Sequence, residues 1–309
     1  MAVTAPRRNP AVRALLFSLW ASVCFVVLSL VWGIAAGSQM IVFDGLYSLV
    51  SIGLSALAIM AHRTAAKGAD SIYPWGRETW EPVAIVVKST ALGGLCLYGS
   101  VNAVREIVHG GRAVSAGSAL TYAVIASLGG IAVAVVLLRA ARTDTGLVRA
   151  EAAEWVGDAA LSLVTLGGFL IAVILNATGH DYAARFVDPS LVLVVSLIYL
   201  WVPVGLFRAA LREILTMAAA EPVGSAVAEV GEELRAAHGF DEFFVRASKV
   251  GSRLDVELAF VVGSSTPRRD VDFFDEVRAQ IQRRLHTLGY RHSTSVLFTA
   301  QRQWVDWSH

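Results

Sequence analysis

The chain has 309 residues, is 55% hydrophobic and only 17% charged, and carries a net charge of +1; its mean hydropathy is +0.58. A chain this apolar is not an ordinary soluble domain, and most of it belongs in a bilayer. The near-neutral balance excludes the strong basic field that nucleic acid demands, and the two cysteines, Cys24 and Cys96, lie inside apolar runs as small buried hydrophobes.

About twenty apolar residues cross a bilayer as a helix. Six such runs follow one another, at residues 14–36, 40–61, 82–104, 119–138, 147–175 and 190–211. Arg7, Arg8 and Arg13 before the first run resemble the start of a signal peptide, but the run is longer than a signal core and reads as an anchored first span. An even number of spans puts both termini on one side. Arg63, Lys67, Arg77, Arg139, Arg142 and Arg149 join the N-terminal arginines there, against Arg105, Arg112 and Arg185 opposite, so both termini are expected in the cytoplasm of a multi-pass inner (plasma) membrane protein. The short turn between the first two spans implies an antiparallel hairpin. The loop DSIYPWGRETWE, residues 70–81, reads as an interfacial anchor rich in aromatic and turn residues.

In the second span Asp44, Tyr47, Ser48, Ser51 and Ser55 share a helical face. In the fifth, Glu151, Glu154, Asp158, Ser162 and Thr165 repeat that spacing. A carboxylate at membrane depth costs roughly 2.5–3.5 kcal/mol on insertion scales and needs a partner, water or a cation. Two acidic stripes on separate spans point to one shared cation site. Lys88 in the third span either snorkels to the interface or pairs with one of these acids. Glu151 stands near the inner interface, where it either serves the site or pairs with Arg149. Glycines such as Gly93, Gly94, Gly129, Gly130, Gly167 and Gly168 are expected to permit close helix packing.

Beyond the sixth span an amphipathic helix continues to Glu221 and Pro222, dividing the chain into a transmembrane domain, residues 1–220, and a cytoplasmic domain, residues 221–309. Within the latter, a helix over 223–237 ends at His238-Gly239. Strands over 240–249 and 253–262 follow, then a helix over 270–288 with Val271, Phe274, Val277, Ile281 and Leu285 inward, and a closing strand over 293–299. The fold class is thus a mainly α membrane protein of six spans followed by a small α+β domain, α-β-β-α-β and ferredoxin-like. His238, His286, His292 and His309 lack the spacing of a metal motif and read as solvated surface, and Asp188-Pro189 reads as the start of the sixth helix. An enzyme is not expected: no nucleophile with a suitably spaced base, no Gly-rich phosphate loop and no Cys-x-x-Cys is present.

Six spans, acids in the second and fifth, a Tyr-Pro-Trp-Gly loop before the third and the small terminal domain together resemble the cation diffusion facilitator family over nearly the whole chain. The words that carry the likeness are FDGLYSLVS at residues 43–51, EAAEWVGDAALS at 151–162 and Val187-Asp188-Pro189. They look most like the branch described as cobalt/zinc/cadmium transporters. The resemblance implies a homodimer that exports a divalent cation in exchange for protons by alternating access, with the cation as cargo and no prosthetic group. It also implies ligand positions that here hold Tyr47 and Ser51 in the second span and Glu154 and Asp158 in the fifth. The expected site is Asp44, Ser48, Ser51, Glu151, Glu154 and Asp158, with Asp158 the principal ligand and Glu154 a further ligand or proton acceptor. Such an oxygen-only set suits manganese- or iron-like hard ions as well as the zinc class. Because carboxylates bind metal only when deprotonated, protons and cation compete. The alternative is a non-transporting membrane partner or sensor with a degenerate site.

Overall fold

The computed structural model describes residues 10–141, 147–263 and 269–305; Arg7, Arg8, Arg142 and His309 lie outside the described residues. Six of its helices are long and apolar enough to cross a membrane: α1 (Pro10–Ala36), α2 (Gln39–Ala65), α3 (Trp80–Val108), α4 (Ala116–Ala140), α5 (Leu147–Ala177) and α7 (Val187–Ile214), with the single turn α6 (Asp181–Ala184) between the last two. Each exceeds the apolar run that announces it, because polar end turns continue the helix past the hydrophobic stretch.

The chain divides into two compact units, residues 1–54 with 90–203, and 55–89 with 204–309. In the first, α4 packs along α5 and against α1. Its core gathers Met40, Ile41, Phe43, Cys96, Tyr122, Phe169 and Val192 from five helices, and a smaller cluster sets Trp155 and Ala152 of α5 against Leu137 of α4. The chain reverses between α1 and α2 over two residues. Gly37 takes φ +69° there, which glycine adopts without a Cβ penalty, and the Ser38 amide donates to Gly33 O at 3.0 Å. Glycine permits close approach at Gly45, where a Cβ would meet Ser29 and Leu30 of α1, at Gly129 against Phe25, and at Gly168 against Leu191. A Cβ added at Gly94 or Gly167 would meet nothing within 4 Å, so neither glycine is required by a close helix contact among the described residues.

In the second unit the order continues α8 (Val223–His238), β1 (Glu242–Val250), β2 (Arg253–Val261), α9 (Val271–His286), β3 (Arg291–Thr299). The sheet order is β1-β2-β3, with β1 antiparallel and β3 parallel to β2. Alternation places Leu254, Val256, Leu258 and Phe260 on one face, under Val227 and Leu234 of α8 and Val277, Ile281 and Leu285 of α9. Gly239, left-handed at φ +69°, ends α8, and the Asp270 side chain caps α9 by accepting from the Phe273 amide at 3.1 Å. Val271, expected inward, is 69% exposed. It is the first helical residue and precedes the buried stripe, and Phe273 packs on the core in its place. Nor does the sixth span run on as a helix to residue 221. It stops at Ile214, and the following segment meets the sheet edge, where the Ala219 amide donates to Ala247 O at 2.8 Å.

Candidate metal site

Asp44 lies on α2, four residues after the buried Met40, on the face that turns toward α4 and α5. A cavity of about 10 Å³ touches its side chain, lined by Tyr122, Ala123 and Ala126 of α4 and by Leu161, Ser162 and Thr165 of α5. A space of that size holds about one water. Asp158 of α5 lies near enough for its charge to act on Asp44, and Glu154 and Glu151 on its own helix act on it in turn. Two like charges from different spans therefore share one region. Among the described residues neither Asp44, Asp158 nor Glu154 has a hydrogen-bond or ion-pair partner.

Three phenols belong to the core cluster of this unit. Tyr47, one turn after Asp44, packs its ring 4.8 Å from Tyr199 of α7 and 6.3 Å from Phe43. Tyr122 of α4 lines the same cavity as Asp44. Ser48 and Ser51 are half-buried on α2, and Ser51 has a partner of its own.

Glu151 is held differently. Its carboxylate accepts a hydrogen bond from Ser18 of α1, and Ser18 accepts one from the Trp155 indole at 2.7 Å. The surface pairing with Arg149 considered from sequence is replaced by an interhelical clamp. Lys88 is half-buried on α3 and makes no ion pair among the described residues. Among the described residues no three His, Cys, Asp or Glu side chains stand close enough to hold an ion together. The groups brought together are thus a pair, Asp44 and Asp158, with Glu154 one turn from Asp158.

Asp188 is expected at the start of the sixth helix. It does lie in the first turn of α7, but its carboxylate reaches the N-terminus of α2, accepting from Ser38 Oγ at 2.5 Å and from the amides of Gln39 and Met40 at 2.8 and 3.3 Å. Ser38 meanwhile accepts from the Ile41 amide at 3.2 Å, the usual N-cap bond. No spacing in the sequence marks this contact, because its partners lie 150 residues apart.

In the second unit the 70–81 loop is folded on itself. Asp70 accepts from the amides of Ile72 and Tyr73 and from Arg77, at 3.0, 2.9 and 2.5 Å. The Tyr73 amide, then the Arg77 guanidinium, hold its carboxyl below the ordinary range. Trp75 is 85% exposed, whereas its carbonyl accepts from Arg253 of β2. Arg253 also pairs at 3.1 Å with Glu78, whose side chain is only 5% exposed. At the neighbouring turn, Glu213 of α7 accepts from Lys249 at 2.9 Å and from the Gly251 amide at 2.8 Å.

Residues 15–215 match the family model described as the cation efflux transmembrane domain. A search of curated proteins gives no match.

Proposed function

Starting from a chain that belongs to the cation efflux family, a family of multi-pass membrane proteins that move metal cations and are not enzymes, we propose that this protein exports a divalent cation from the cytoplasm in exchange for protons. Asp44 and Asp158 form the site between α2 and α5, with Glu154 as a further ligand or proton acceptor. The observation that carries this reading is a pair of carboxylates on two different spans, near enough for one to act on the other and without hydrogen-bond or ion-pair partners among the described residues. Such a pair is costly in lipid unless a cation or protons neutralise it. Exchange follows from competition: each proton that enters a carboxylate removes a ligand, and each cation that binds expels protons.

The oxygen-only donor set favours hard ions of the manganese or iron type beside the zinc, cobalt and cadmium class that the branch resemblance implies. Ser48 and Ser51 supply hydroxyls or hold waters at the rim, and Glu151, through Ser18, fixes α5 to α1. Alternating access, a homodimer in the plasma membrane with cytoplasmic termini, and a terminal domain beyond residue 220 complete the reading. The placement of α8 and α9 over one sheet face supports a ferredoxin-like layer for that domain.

A host strain lacking its own exporters, grown across a panel of toxic divalent metals, tests this. Expression of the chain should protect against at least one metal, and Asp158→Ala should abolish protection at equal membrane abundance. A second reading, a non-transporting sensor, is favoured by one observation, the absence of a third His, Cys, Asp or Glu near the pair among the described residues. It predicts no protection against any metal.

A further inference from the structure

We infer that the cavity beside Asp44 is a stopping place of its own for the cation, in which Ser162 and Thr165 of α5 and Tyr122 of α4 complete an oxygen-lined site around that carboxylate. The inference rests on the transport reading of Asp44 and Asp158 and adds to it an order: the two acids serve different ends of one path.

Three helices build the site. Asp44 of α2, Tyr122 of α4 and Ser162 and Thr165 of α5 line one cavity of about 10 Å³, and Asp158 is not among the described residues that line it. The short side chains of Ala123 and Ala126 face the same space and leave it open. Asp158, Ser162 and Thr165 follow one face of α5, at steps of four and three residues. At 1.5 Å per residue, Ser162 and Thr165 stand about 6 and 10 Å further along the helix than Asp158. That direction leads to the end of the unit where Asn176 of α5 shares a cavity with Asp188, the residue bound to the first amides of α2. In the proposed orientation it is the outer end. A cation that leaves Asp158 and Glu154 outward therefore meets Asp44 and its three neighbours next.

The lining groups suit a cation. Tyr122 and Thr165 are buried. The Thr165 hydroxyl donates to Leu161 O at 3.1 Å, so its proton is engaged and its oxygen has lone pairs left to give. Ser162 makes no hydrogen bond among the described residues. Tyr122 packs on Trp32 of α1 with ring centroids 6.3 Å apart, and the Trp32 indole is itself held by bonds of 3.0 Å to the carbonyl and hydroxyl of Ser118. The wall that carries the phenol is thus fixed. A space of this size admits about one water. Oxygen ligands stand about 2.0–2.1 Å from magnesium, closer than the roughly 2.7–2.8 Å at which they meet a water oxygen, so a small bare divalent ion fits as well. One carboxylate with hydroxyl and phenol oxygens is the donor chemistry of manganese or magnesium.

The test uses the full-length protein in detergent, with Mn2+ binding followed by its electron paramagnetic resonance signal. Wild type, S162A, Y122F, D44N, D158N and the double variant D44N/S162A are compared. S162A and Y122F should each weaken Mn2+ binding about three- to tenfold, the value of one modest polar contact. S162A should add nothing once D44N is present, because the hydroxyl acts only beside that carboxylate. If D44N and D158N weaken binding while S162A and Y122F both match wild type, the cavity holds water alone and the proposal is overturned with the carboxylate pair intact. A loss from S162A as large in the D44N background as in wild type also overturns it, since the hydroxyl then acts away from Asp44. Wild type that binds no better than D44N and D158N overturns the carboxylate site and this inference together.

Discussion

The carboxylate of Asp188 stands 2.5 Å from the hydroxyl of Ser38 and receives in addition the first two amides of α2. The start of the sixth span thereby closes the start of the second, and the acid is 2% exposed. An anion at a helix N-terminus satisfies amides that have no other partner and opposes the positive end of the helix. Asp188→Ala is expected to lower stability by about 2 kcal/mol, the upper end for losing a cap. Asp188→Asn, which keeps an accepting oxygen, should lose less. Thermal unfolding of the purified protein in detergent reads both.

The clamp Glu151–Ser18–Trp155 gives Glu151 hydrogen-bonded partners, unlike Asp44 and Asp158, the pair proposed to bind the cation. Ser18→Ala leaves a carboxylate and an indole N–H without their partner, at roughly 1–3 kcal/mol. Glu151→Gln should lower thermal stability while metal protection of the host persists, in contrast to Asp158→Asn. Loss of protection in Glu151→Gln at undiminished stability would move Glu151 into the site.

Arg253 reaches the loop before α3 through Glu78 and the Trp75 carbonyl. Removing one partner of a buried ion pair costs about 3–5 kcal/mol, and Arg253→Met should approach the lower end because the guanidinium is partly exposed. Glu78→Gln in the Arg253→Met background should add little further cost, so a double-mutant cycle should show strong coupling. Additive losses would show that the pair contributes little.

Acid should loosen the 70–77 loop in one direction only. The Asp70 carboxyl is held below its ordinary value by the Tyr73 amide and Arg77, so its contribution is complete above the unfolded value of roughly 4 and is lost as pH falls through the lower folded value. Hydrogen exchange at the Ile72 and Tyr73 amides should therefore be protected at neutral pH and should lose protection only in acid. Asp70→Asn should show weak protection throughout.

The spans were legible in the sequence because an apolar run of sufficient length has few other fates. The strands and helices of the terminal domain were legible to within two or three residues from alternation and helical spacing. Asp44 and Asp158 stood out because a lone charge in an apolar stretch is conspicuous within a single helix. What could not be read is what arises between helices: Tyr199 beside Tyr47, Ser18 beneath Glu151, and Asp188 turned to another helix's first amides. Each of those partners is an unremarkable residue in its own segment, and only packing gives it a role. The exposed Val271 shows the same limit at a helix end, where periodicity continues past the point at which the core stops.

Proton movement driven by metal in sealed vesicles tests the shared site of Asp44 and Asp158 most directly. With purified protein reconstituted around a pH-sensitive dye, a divalent cation gradient should drive opposing proton flux in wild type. Asp44→Asn and Asp158→Asn should each abolish it while the protein stays folded and inserted. Undiminished flux in both variants would contradict the site.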